Sequence, residues 1–107
     1  MTANELTKAV IKRINLIKGC MAYRSSNIPV RGKANTVKKG LADITCVVHG
    51  YAVYIEVKTG RDYQKEGQKA FQEEVENAGG YYWIVTSWDQ FLSDWEMVYR
   101  VAKNARG

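Results

Sequence analysis

The feature that most restricts this chain's fold is the run DITCVV-HG-YAVYIEVK at 43–58, two β-rich segments around His49-Gly50. With those two residues as the turn of a hairpin, the register pairs Val48 with Tyr51, Cys46 with Val53 and Ile44 with Ile55. Every pair is apolar, so one face of the hairpin is expected to be buried. A slip of one residue would send that whole set to the opposite side, so the register is well specified. The other face then pairs 47 with 52, 45 with 54 and 43 with 56. Asp43 falls across from Glu56 at one end of the hairpin, and Lys58, two residues further on, projects to the same face.

The rest of the chain supplies partners for that sheet. Residues 3–18 carry Leu6, Val10, Ile14 and Ile17 on one stripe and predict an amphipathic helix, with Asn4 as its cap and Gly19 as its stop. Residues 20–24 suit a short strand. Residues 25–40 hold the only proline, two glycines and several basic residues without periodicity, which predicts a long loop of the kind that is usually functional. Residues 64–78 predict a second helix with Ala70, Phe71, Val75 and Ala78 inward, ended by Gly79-Gly80. YYWIVTS at 81–87 reads as a fourth, buried strand. Residues 88–101 read as a last helix with Trp88, Phe91, Leu92, Trp95 and Val98 on one side, before a frayed KNARG. The expected order is α-β-β-β-α-β-α, an α/β fold with a mixed central sheet flanked by helices in one domain, 1–107.

Charge is distributed unevenly. The net charge is +5, yet residues 1–42 carry nine Lys or Arg against one acid, Glu5, whereas 43–107 carry seven bases and ten acids. A basic third on so small a chain points to a polyanionic partner such as nucleic acid, with a merely solvated surface as the competing explanation. No apolar stretch approaches the roughly 20 residues of a membrane span, and the opening residues do not read as a secretory signal. Cys20 and Cys46 form no CxxC pair, so a disulfide framework or zinc site is not expected. A reducing cytoplasm, phage or bacterial, fits best.

Two carboxylates facing each other across a strand pair repel, and need compensation from Lys58 or from a divalent cation. Asp and Glu oxygens suit Mg²⁺ or Mn²⁺, with water and substrate phosphate completing the coordination. Such an ion polarises a phosphate and acidifies water, while Lys58 is placed to orient or deprotonate that water or to neutralise developing charge. The bland alternative is an exposed ion-pair cluster of little energetic consequence. His49, the only histidine, sits in the turn at the far end, and Ser25-Ser26 have no GxSxG context, so histidine and serine chemistry are not expected. No GxxxxGK[ST] is present either.

GLAD at 40–43, IEVK at 55–58 after a hairpin, and a following helix with an early Gln68 resemble the PD-(D/E)XK nucleases, and more narrowly the VRR-NUC domain. That domain is found in stand-alone phage proteins and fused to larger repair enzymes. The resemblance runs from about Glu5 to Ser87, with Ala42 replacing the proline usual before the Asp. It implies a restriction-endonuclease-like core and a metal-dependent DNA endonuclease with Mg²⁺ or Mn²⁺ held by Glu5, Asp43, Glu56 and the Val57 carbonyl. It further implies Lys58 as base or stabiliser, with Gln68 beside it. Arg24, Arg31, Lys33, Lys38 and Lys39 precede Asp43 and are expected to contact DNA phosphates. Tyr81, Tyr82, Trp83, Trp88 and Trp95 fall in apolar patterns and are expected in the core or in a homodimer interface rather than as base-stacking platforms. A dimer would suit branched DNA such as a junction. A non-catalytic DNA-binding module and an RNA-directed nuclease are the competing readings.

Overall fold

The computed structural model describes residues 1–25, 41–61 and 63–106. Its elements are α1 (Ala3–Asn15), β1 (Cys20–Arg24), β2 (Ile44–Val48), β3 (Tyr51–Val57), α2 (Glu66–Asn77), β4 (Tyr81–Val85) and α3 (Trp88–Arg106). They build a four-stranded mixed sheet in the order β1-β2-β3-β4, antiparallel except for β3 and β4, which run parallel through the α2 crossover. The expected architecture and the expected hairpin register are both present, from Ile44 opposite Ile55 to Val48 opposite Tyr51. His49 has φ +47 and Gly50 φ +88, the left-handed pair that a tight two-residue turn requires.

One sheet face carries Ile44, Cys46, Val48, Val53, Ile55 and Val85, all buried, and packs against α1 and α3. The helices contribute Leu6, Val10 and Ile14 from α1, and Phe91, Trp95 and Ala102 from α3. The opposite face is covered in part by α2, whose Phe71 and Val75 pack with Ala42, Tyr54 and Tyr82. At the other half of that face Met21, Tyr23 and Val47 are exposed.

Local chemistry moved several boundaries. The cap of α1 is Thr2, not Asn4: Thr2 Oγ1 accepts from the Glu5 N–H at 3.1 Å and Glu5 Oε1 accepts from the Thr2 N–H at 2.9 Å, a reciprocal capping box. Asn4 instead accepts from Arg24 at 2.8 Å. The helix ends at Asn15 rather than residue 18, because Asn15 turns its amide onto β1. Its Nδ2 donates to the Ala22 carbonyl at 2.9 Å and its Oδ1 accepts from the Ala22 N–H at 2.8 Å, occupying backbone groups on an edge strand. Asn15→Ala is expected to cost about 1–3 kcal/mol of unfolding free energy, measured by urea denaturation, since both backbone groups are part-buried.

Ala70, Ala78 and Leu92, expected inward, are exposed. Helix α2 begins at Glu66, two residues later than expected. The KNARG tail is helical through Arg106, because Ala102 is packed into the core at 3% exposure and holds the last turns. Strand β4 is a sheet edge, with Val85 buried but Tyr81 exposed. Of the basic loop only Ser25 lies within the described residues. No described helix is long and apolar enough to cross a membrane.

Candidate metal centre

Three strands end or begin at the same end of the sheet: β1 at Arg24, β2 at Ile44 and β3 at Val57. Asp43 stands one residue outside the β2 ladder. Its backbone carbonyl accepts from the Ser25 N–H at 2.9 Å, and its Oδ2 accepts from the Val57 N–H at 2.7 Å. The side chain thus takes over where the backbone ladder stops, which fixes the carboxylate beside the residue that follows Glu56. The neighbouring Ser25 Oγ and Thr45 Oγ1 are hydrogen-bonded at 2.7 Å.

Glu56 lies on the face that α2 covers and is 0% exposed. A surface ion-pair cluster therefore does not describe it. A carboxylate is costly to withdraw from water unless other groups compensate its charge. Tyr82, on the same face, reports both acids: its hydroxyl pKa is pushed up by burial first and then by the negative charge of Glu56, with a smaller push from Asp43. The two carboxylates therefore act on one phenol. Lys58 is half-buried, and its backbone N–H donates to the Val85 carbonyl at 2.9 Å, which continues the β3–β4 pairing past Val57.

Glu5 is exposed at the first turn of α1, where the Thr2 backbone N–H and then the Thr2 hydroxyl hold its carboxyl below the usual range. A cleft lined by Met1, Leu6, Thr59, Gly60, Thr86 and Ser87 puts that turn beside the outgoing ends of β3 and β4, hence at the end of the sheet where Lys58 sits. Gln68 is half-buried and Oε1 accepts from the Lys65 N–H at 3.0 Å, closing the start of α2. Arg24 is exposed and bound to Asn4. Arg31, Lys33, Lys38 and Lys39 lie outside the described residues. Trp83, Trp88 and Trp95 pack into or against the core.

Sequence reasoning missed Tyr82 as a neighbour of Glu56, and Gln64 beyond it. The placement of Tyr82 beside Glu56 follows from the parallel β3–β4 register, which no local pattern encodes.

Among the described residues no three His, Cys, Asp or Glu side chains converge as a cage. Mg²⁺ and Mn²⁺ commonly use one or two protein carboxylates and fill the remaining positions with water and phosphate. The donors at hand, all oxygen, fit such an ion better than zinc. Neither cysteine competes: both are free thiols, and burial pushes Cys46 up to about 12. A separate apolar cavity of about 230 Å³ between β4 and α3 is lined by Val53, Tyr81, Trp83, Met97, Val98 and Val101, among others. It holds none of these acids and offers no group for hydrolysis.

No family model matches the sequence, and no curated protein matches it. The solved structures are informative. One described as a "VRR_NUC domain protein" superposes with a TM-score of 0.69, covering 90% of this chain and 86% of that one at 21% identity. The chain has the VRR-NUC fold. At that level of identity the likeness concerns the path of the backbone. Within the VRR-NUC fold, Asp43, Glu56 and Lys58 occupy the end of the β2–β3 hairpin described above.

Proposed function

We propose that this protein is a metal-dependent nuclease that hydrolyses phosphodiester bonds in DNA, with Asp43 and Glu56 as carboxylate ligands and the Val57 carbonyl as a third donor. The observation that carries this reading is Glu56, a fully buried carboxylate at the end of the sheet where Asp43 Oδ2 accepts from the N–H of the next residue, Val57, in a VRR-NUC fold. A buried acid beside a second acid is an expensive arrangement that a divalent cation relieves.

A bound Mg²⁺ or Mn²⁺ supplies positive charge to the scissile phosphate and acidifies water at neutral pH. The chain's own groups do the rest. Asp43, fixed by the Val57 N–H, and Glu56, fixed by burial, hold their oxygens in place before substrate arrives, so little reorganisation is needed. Lys58 sits two residues from Glu56 and is suited to take a proton from the attacking water or to offset charge on the phosphate. Glu5 would supply a further carboxylate to the ion. Gln68 orients Lys58. Arg24 and the basic residues of 26–40 contact phosphates.

Exposed Met97 and Val101, one turn apart on α3, favour a pairing of two copies, which would set two sites against branched DNA. Sedimentation equilibrium at micromolar concentration tests the dimer.

The nuclease is tested by incubating the protein with branched, flapped and linear DNA, and with RNA, in Mg²⁺, Mn²⁺ or EDTA. Cleavage is expected with metal only. Asp43→Asn and Lys58→Ala are each expected to lower the rate by about 10²-fold or more, the scale of losing a positioned proton-transfer or charge-stabilising group. DNA binding without metal-dependent cleavage of any substrate would instead make the protein a binding module that keeps the fold.

A further inference from the structure

We propose that the open face of β1, centred on Tyr23 with Met21 beside it, is a stacking platform for unpaired bases of the nucleic-acid substrate. The proposal rests on the nuclease reading above and adds a substrate contact to it.

Strand β1 alternates sharply. Ala22 is buried in the core, whereas Met21 and Tyr23, on the opposite face, are each 51% exposed. Helix α2 shields that face at Tyr54 of β3 and Tyr82 of β4, but Val47 of β2, directly across from Met21, is exposed too. Single exposed apolar side chains are ordinary; an adjoining group of them marks a place where something binds. The register ties this group to the candidate site. Tyr23 pairs with Thr45 and Thr45 with Tyr54, so the three stand in one row across the sheet. Glu56 is two residues beyond Tyr54 on the same face, which sets its backbone about 12 Å from that of Tyr23 by strand spacing and rise. A few nucleotides of strand cover that distance.

Charge selects the partner. Helix α1 is tied to β1 by two side chains, Asn4 accepting from Arg24 at 2.8 Å and Asn15 bonding both backbone groups of Ala22. Lys8 lies between them on the same helical stripe and Lys12 follows one turn on. Both lysines and Arg24 are exposed, so cations line the flank of the strand that carries Tyr23. Cations that track phosphates beside an aromatic ring suit an unpaired strand, because every base has a face to stack. A second copy of the chain fits less well. Met21, Tyr23 and Val47 fall far short of the roughly 20–30 residues a side that a stable protein interface uses.

The test uses the full chain in EDTA, so that nothing is cut. The probes are an end-labelled oligothymidylate and an abasic oligomer of the same length. Fluorescence anisotropy is expected to show Tyr23→Ala binding oligothymidylate about tenfold more weakly than wild type, the scale of one lost stacking contact. Tyr23→Phe, which keeps the ring, should bind as wild type does. The abasic oligomer should bind wild type and Tyr23→Ala alike, with the same dependence on salt, since no phosphate contact is lost. Equal affinity of wild type and Tyr23→Ala for oligothymidylate, or an equal loss on the abasic oligomer, overturns the proposal. So does sedimentation in which wild type dimerises and Tyr23→Ala does not, which would give the face to a second copy. A wild type that stacks oligothymidylate in this way, yet cleaves nothing in Mg²⁺ or Mn²⁺, removes the nuclease reading and leaves the platform standing.

Discussion

Glu56→Gln is expected to lower metal-dependent cleavage by about 10³-fold or more, because losing a ligand forfeits several kcal/mol of charge stabilisation and each 1.4 kcal/mol or so is a factor of ten. The same substitution is expected to leave the metal-free protein at least as stable as wild type. Glutamine keeps the shape of the side chain at a site that is fully buried, and it removes a charge that is costly to hold away from water. Opposite signs for activity and stability are what separate a functional acid from a structural one. Thermal melts supply the second half of the test. Millimolar Mg²⁺ or Mn²⁺ should raise the wild-type midpoint, since a ligand that binds only the folded state stabilises it, and should not raise that of Glu56→Gln. A variant that cleaves at the wild-type rate, or one that loses activity only because it melts in EDTA, would remove Glu56 from the site.

The hairpin could be read from the sequence because the information is local and has a period of two. Five consecutive pairs from Ile44–Ile55 to Val48–Tyr51 obey the alternation that the sequence shows. Glu56 came with it as the next residue of β3, while Asp43 stands one residue outside the paired ladder. The closing detail did not, since Asp43 uses its side chain, where a regular ladder would use the backbone, to meet the Val57 N–H. Helix ends were less legible for specific reasons. Leu16 and Ile17 continue the apolar period of α1, but Asn15 has a better use for its amide at Ala22, and Gly19 turns the chain with φ +90. Ala70 and Ala78 continue the apolar stripe of α2, but so small a side chain weighs little against Phe71 and Val75 in deciding how the helix faces the sheet. The tail 103–106 includes Lys103, Ala105 and Arg106, all good helix formers, and Ala102 anchors it. Tyr82 was illegible for a deeper reason: its place beside Glu56 depends on how the α2 crossover sets β4 against β3, a non-local choice. Glu5 and Gln68 are in helix-start hydrogen bonds that a sequence would assign them with no function at all, and only family resemblance proposes more.

The largest expected loss of stability lies away from the acids, at Phe91. Its side chain is 0% exposed and at the centre of an aromatic stack, 5.2 Å from the Trp83 ring, 5.3 Å from Trp88 and 5.9 Å from Trp95. Phe91→Ala should cost about 3–5 kcal/mol, combining lost burial with the cavity left behind, because indole rings held by a sheet and a helix cannot collapse into the gap. Domains of this size are stable by only about 5–15 kcal/mol, so the variant is expected to be marginal at room temperature and unfolded well before wild type in urea. Phe91→Leu retains most of the apolar volume and should cost less than half as much. The consequence for function is indirect. Helix α3 starts at the cleft shared by Thr59, Thr86 and Ser87, so α3 must dock for that end of the sheet to keep its shape. Cleavage by Phe91→Leu, corrected for the folded fraction from tryptophan fluorescence, should therefore match wild type per folded molecule. A deficit that persists after that correction would mean that the stack shapes the site directly, and that its rings do more than hold α3 against the sheet.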